Sequence, residues 1–178
     1  MNNKKIIYIN TMLLFLLMFI SHNLYKWLPN DVFAIFFPVN ESIWEHMKMI
    51  YTTIIAYIPL ELIILNKLKI KHNNLLLSSY VSGIICILVE LILFIPIYKV
   101  IGENLPITLV TLLISIFISQ YISFNILNKN YIKKSDILSI ILIIFTFILM
   151  GILTYKPPKI FLFFDPINEK HGINIYKI

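Results

Sequence analysis

The sequence predicts an all-α fold, a polytopic transmembrane helical bundle of five spans. Three observations carry that prediction. The 178 residues are 59% hydrophobic and only 13% charged, with a mean hydropathy of +0.86. That is too apolar for a water-soluble domain of this length. Five stretches reach the roughly 20 apolar residues, at about 1.5 Å rise each, that a bilayer core demands. Short polar connectors separate them, and lysine is distributed unevenly between the two sets of connectors.

The first span is expected at 6–28, behind Lys4 and Lys5. The run leads into His22-Asn23-Leu24-Tyr25-Lys26-Trp27 with no small-residue cleavage site, so it reads as an uncleaved span and not a secretory leader. The connector after it holds the apolar run Val32 to Phe37 between Trp27 and Trp44. Tryptophan favours the membrane interface, which predicts an interfacial first loop. The second span is expected at 43–65, with Glu45, His46 and Lys48 in its first two turns. Spans at 75–98, 105–127 and 137–155 follow, and Tyr155-Lys156-Pro157-Pro158 stops the last one. Residues 156–178 form a short extracytoplasmic tail. There Asp165 as N-cap, Pro166 at the first helical position and Gly172 as terminator predict one helical segment. No internal repeat or low-complexity linker divides the chain, so 1–178 reads as a single membrane domain.

Orientation follows from the lysines. A cytoplasmic N-terminus puts Lys4, Lys5, Lys67, Lys69, Lys71, Lys129, Lys133 and Lys134 inside. Lys26 and Lys99 then fall in the outer connectors, with Lys156, Lys159, Lys170 and Lys177 in the outer tail. All 15 basic residues are lysine, a bias expected of an AT-rich bacterial genome. The location implied is a bacterial cytoplasmic membrane, with the C-terminus outside. The net charge of +6 is accounted for by topology and anionic lipid heads, so no nucleic acid is expected as partner. The expected partners are the lipid bilayer and a second copy or another membrane protein. One cysteine, Cys86, excludes an intrachain disulfide or a multi-cysteine metal site.

This topology gathers chemistry on one side. Asp31, Glu41, Glu45, Glu103, Asp165 and Glu169, six of the nine acids, fall at the outer face with His22, His46 and His171. The segment Pro38-Val39-Asn40-Glu41-Ser42-Ile43-Trp44-Glu45-His46-Met47-Lys48 is the densest part. Polar groups at that depth are costly, so they either cap a helix or build a site. Ser42-Ile43-Trp44-Glu45 is a capping box, with Ser42 accepting from the Glu45 N–H and the Glu45 carboxylate returning to the Ser42 N–H. On a helix, Glu41, Glu45, Lys48 and Thr52 share one face, with Ser42, His46, Met49 and Thr53 beside it. Glu45 and Lys48 can pair across one turn.

Capping leaves Glu41, His46 and Lys48 unexplained. The catalytic candidates are Glu41, Glu45, His46 and Lys48; His22, Trp44, Glu90, Asp165 and His171 are binding candidates. Oxygen and imidazole groups of this kind suit a divalent metal, although no HExxH-type spacing specifies one. His22 lies roughly 9 Å inside the first span and is either a hydrogen-bonded bundle residue or a ligand. Glu90 ends a stripe of Ser79, Gly83 and Cys86, and its carboxyl needs a partner, for which Lys48 is at similar depth. Glu61, after Pro59, can snorkel or meet a carbonyl freed by the proline. Ser115, Ser119 and Ser123 read as a helix-packing stripe.

The 38–48 segment, His22 upstream and Phe164-Asp165-Pro166 to His171-Gly172 downstream resemble a family of small multi-pass membrane proteins of Firmicutes, a domain of unknown function. The resemblance covers nearly the whole chain and implies a multi-pass bacterial membrane protein without implying an activity. The family carries an aromatic-Gly pair where this chain has His171-Gly172, which ranks His171 last among the candidates.

Three functions fit these residues. The first is a non-catalytic scaffold or accessory membrane component with a polar outer-face site. The second is a metal-assisted membrane hydrolase acting at the outer face, with Glu41 or Glu45 as base, His46 and Asp165 as ligands or acid–base partners, and Lys48 stabilising an anion. The third is a small-solute or ion transporter subunit built around Glu90 and Lys48.

Overall fold

The computed structural model describes residues 4–173, so Lys177 and the end of the tail lie outside the described residues. The fold is mostly helical: α1 (Lys5–Trp27), α2 (Asp31–Phe36), α3 (Ile43–Ala56), α4 (Ile58–Lys67), α5 (Leu75–Ile101), α6 (Leu105–Leu127) and α7 (Ser135–Tyr155). A 3-10 turn at Phe161–Phe163 and a small antiparallel pair, β1 (Phe164–Asp165) and β2 (Lys170–His171), complete it. Four helices, α1, α5, α6 and α7, are long and apolar enough to cross a membrane, or five if α3 and α4 count as one broken span.

Helix starts follow local chemistry. Asn30, Ser42 and Asn104 each accept from the backbone N–H three residues on, capping α2, α3 and α6. Gly102, at φ +73°, ends α5 in a conformation that favours glycine. The connector after α1 therefore contains a helix, α2, which packs on α7.

The second predicted span is not one continuous helix. It breaks at Tyr57 and bends by about 40° into α4, with Pro59 in the first turn of the new helix. Proline has no N–H for the preceding turn, so α3 cannot run through it. The tail also differs from expectation. Asp165 does not cap a helix; its Oδ1 accepts from the Ile167 and Asn168 N–H groups, closing a hairpin turn that pairs Phe164 with His171. Asp, Pro and Gly serve helix ends and turns alike, and here the turn prevails.

Two apolar clusters form the interior. Leu14, Met18, Met47, Ile50, Ile54, Leu112 and Ile116 fill the end that carries the 38–48 segment. Ile6, Ile7, Leu65, Ile70 and Leu127 fill the other. Between them Asn10 Nδ2 donates to Glu61 Oε1 (2.8 Å) and to Gln120 Oε1 (3.2 Å), and Tyr57 Oη donates to Asn10 Oδ1 (2.9 Å). Glu61 is thus buried with a side-chain donor, and neither snorkels nor binds a freed carbonyl. The small-residue stripes behave as predicted: Ser79, Gly83, Cys86, Ser115, Ser119 and Ser123 are buried where α5 packs against its neighbours. Tyr51 lies so close to Gly83 that a Cβ there would sit 2.7 Å from its ring. Outward-facing Ile137, Ile141, Ile144, Phe145 and Ile148 leave α7 with a continuous exposed apolar face, which water does not tolerate and lipid does.

Candidate metal centre

The 38–48 segment divides into two groups of side chains. The first is internal. Lys48 Nζ pairs with Glu45 Oε2, donates to the Ala34 carbonyl (2.7 Å) and donates to Thr154 Oγ1 (2.9 Å), so α2, α3 and α7 meet at one ammonium. Both partners of the pair are buried. Thr154 Oγ1 in turn lies 3.3 Å from Glu45 Oε1, and Glu45 Oε2 accepts from the Val39 N–H (3.0 Å). The capping box is only half formed. Ser42 Oγ accepts from the Glu45 N–H at 3.4 Å, but the Ser42 N–H goes to Asn40 Oδ1 and not to Glu45. Glu45 has been drawn to Lys48 and Val39, a charged pairing that outweighs a neutral cap.

The second group faces a cavity. Glu41 Oε2 lies 3.3 Å from His22 Nε2 and 3.5 Å from His46 Nε2, and the two Nε2 atoms are 3.3 Å apart. Lys26 Nζ donates to the other Glu41 oxygen at 2.9 Å. Glu41 does not share a face with Glu45 because it precedes the Ser42 cap, where helical periodicity does not yet hold. The His22 contact and Lys26 hold its carboxyl down to about 2, against the upward pull of partial burial.

His46 Nδ1 lies 2.9 Å from the Ser42 carbonyl, which can only accept. The proton must therefore be on Nδ1, and in the neutral ring Nε2 presents a lone pair to His22 and Glu41. A backbone carbonyl on the far ring nitrogen is how proteins orient metal-binding histidines. The triangle has the size an ion needs. A tetrahedral Zn2+ with bonds of about 2.0 to 2.1 Å keeps its ligand atoms about 3.3 to 3.4 Å apart. Two histidines and one carboxylate leave a fourth position for water or substrate.

The triad opens on a cavity of about 240 Å³. Its walls are mostly apolar: Ile43, Met47, Ile50, Phe94, Tyr98, Leu105, Leu112, Phe161 and Phe164. Glu90 also lines it, with Oε1 accepting from Thr111 Oγ1 (2.9 Å) and Oε2 from Ser115 Oγ (2.8 Å). Hydroxyls, and not Lys48, are the partners of this carboxyl. The tail covers one side, where Phe163 stacks on Trp44 (4.9 Å between centroids) and Phe161 lies against Tyr98 (5.8 Å).

The sequence candidates therefore separate. Glu41, His46 and His22 converge. Glu45 and Lys48 engage each other, and Trp44 is an aromatic anchor for the tail. Asp165 is occupied by its own turn, with Asn168 Nδ2 donating to Oδ2 (2.7 Å), while His171 packs on Phe164 within the hairpin (5.3 Å). Sequence reading passed over Lys26, Asn40 and Thr154. Lys26 had a signal, standing one helical turn after His22. Asn40, whose Nδ2 donates to the Gly172 carbonyl (2.9 Å), and Thr154 meet partners more than 100 residues away and had none.

Comparison with known proteins is decisive on one point. Residues 1–173 match the family of unknown function DUF6512. The chain belongs to that family. No curated protein and no solved structure matches it. Membership of DUF6512 carries no activity with it.

Proposed function

We propose that this DUF6512 protein is an integral membrane protein of five spans whose 38–48 segment faces the outside, and that it acts there as a metal-assisted hydrolase. The observation that carries the reading is the His22–Glu41–His46 triangle, with ligand atoms all within 4.8 Å of one another and His46 oriented from behind by Ser42. Glu41 is ionised at neutral pH, so an ion displaces no proton from it. A Zn2+-type ion in this setting would lower the pKa of its bound water to about 7 and supply hydroxide for attack on an acyl or phosphoryl centre. The protein's own part is to fix the two rings, hold Glu41 through Lys26, and keep a dry wall beside the fourth position.

The scaffold reading draws support from the other half of the segment. Glu45 and Lys48 make only internal contacts, as structural residues do, but that reading uses the cavity-facing triangle only as a tie between α1 and the start of α3. Transport draws less support, because Glu90 meets the Thr111 and Ser115 hydroxyls and not Lys48, the partner that reading needs.

Metal analysis of protein purified in detergent tests the proposal. About one equivalent of zinc per chain is expected, lost in His22→Ala/His46→Ala and restored to wild type after chelation and zinc addition. A folded wild-type protein that takes up no divalent metal would refute it.

A further inference from the structure

The cavity beside the triad has a composition that a metal centre alone does not require. Small polar substrates need polar walls, yet Ile43, Met47, Ile50, Phe94 and Leu112 dominate this one. Its polar members sit apart in function. His22, Glu41 and His46 form the triad, Glu90 accepts from the Thr111 and Ser115 hydroxyls, and Thr108 and the exposed Glu103 complete the polar lining. A volume of about 240 Å³ has room for about eight water-sized groups, at roughly 30 Å³ each. A methylene is of similar size, so a single hydrocarbon chain of about that length fits the space. The walls come from α3, α5 and α6, the helices expected in the bilayer, and the tail residues Phe161 and Phe164 close one side.

We propose that the cavity holds a single acyl chain with its carbonyl at the His22–Glu41–His46 centre, making the substrate an acyl ester or amide of an amphiphile. This rests on the hydrolase reading above. In the reaction, water held at the centre loses a proton and adds as hydroxide to the acyl carbon. The bond from that carbon to the leaving oxygen or nitrogen breaks, and the leaving atom takes the proton. The products are a fatty acid and the alcohol or amine, with one water consumed. The apolar walls bind the chain and exclude bulk water, while the headgroup stays at the mouth.

The test uses the full-length, zinc-loaded protein in detergent micelles with p-nitrophenyl esters from acetyl to palmitoyl. Each buried methylene is expected to raise kcat/KM about fourfold, with the rise levelling at about eight carbons, where the cavity is full. Leu112→Phe should move that plateau to shorter chains and Phe94→Ala to longer ones, with zinc content confirming that each variant keeps its centre. A zinc-bound protein with a flat chain-length profile, or one that hydrolyses no ester or matching amide, overturns the acyl-chain proposal and leaves the metal centre standing. Failure to bind zinc overturns both.

Discussion

Glu45 with Lys48 and Glu41 with His46 each set a carboxylate against a basic side chain within the same eight positions, yet they have opposite environments. The Glu45–Lys48 pair is sealed, with side-chain exposures of 2% and 0%, and its polar atoms meet protein groups on every side. Glu41 and His46 keep 23% and 33% of their side chains accessible and look into a cavity. The first arrangement spends charge on holding three helices together. The second brings one carboxylate oxygen and two imidazole nitrogens together at the wall of a cavity, steadied from behind by Lys26 and the Ser42 carbonyl. The contrast teaches that a polar cluster near a membrane can be half framework and half site, and that hydrogen-bond completeness separates the halves.

The largest expected effect is on the framework. Lys48→Met leaves Glu45 as an uncompensated buried charge and should cost about 3–5 kcal/mol, read from reversible unfolding in mixed micelles. Glu45→Gln/Lys48→Met should recover most of that loss. If the double variant is as unstable as the single, the pair is more than a tie and the contrast fails. On the site half, His46→Ala should leave unfolding within about 1 kcal/mol of wild type while zinc affinity falls by more than about 100-fold, measured by competition with a chromophoric chelator. A large stability loss without change in zinc binding would reverse the assignment.

Smaller effects sharpen the boundary between the halves. Ser115→Ala removes the donor to one Glu90 oxygen and should destabilise by about 1–3 kcal/mol, with zinc stoichiometry unchanged. Loss of zinc in that variant would put Glu90 inside the site. Asp165→Ala removes the acceptor of the hairpin turn and should cost about 1 kcal/mol, by analogy with a lost cap. Its readout is faster proteolysis of the tail at unaltered zinc content.

Much of this arrangement is written in local sequence, and the rest depends on contacts that no local pattern reveals. Hydropathy and length found the apolar helices, because a run of 20 such residues has few other fates. The Ser42 cap and the Glu45–Lys48 pair were legible because they depend on spacings of three residues. The return arm of the capping box was not, since Val39 and Lys48 compete for the same carboxylate. The triad joins residues 22, 41 and 46 across a loop whose path depends on α2, so helical periodicity pointed Glu41 to the wrong neighbour. The tail forms a hairpin where a helix is expected because Asp165, Pro166 and Gly172 are equally good signals for both.

The Asn40 contact with the Gly172 carbonyl bears on the order of events during synthesis. Glu41 sits in the first quarter of the chain, but the loop that holds it is fastened by Thr154 and Gly172. A ribosome must deliver more than 100 further residues before those fastenings exist. A nascent chain that already carries every member of the triad still lacks the parts that fix its shape. The His22–Glu41–His46 triangle is therefore complete in sequence well before it is fixed in shape.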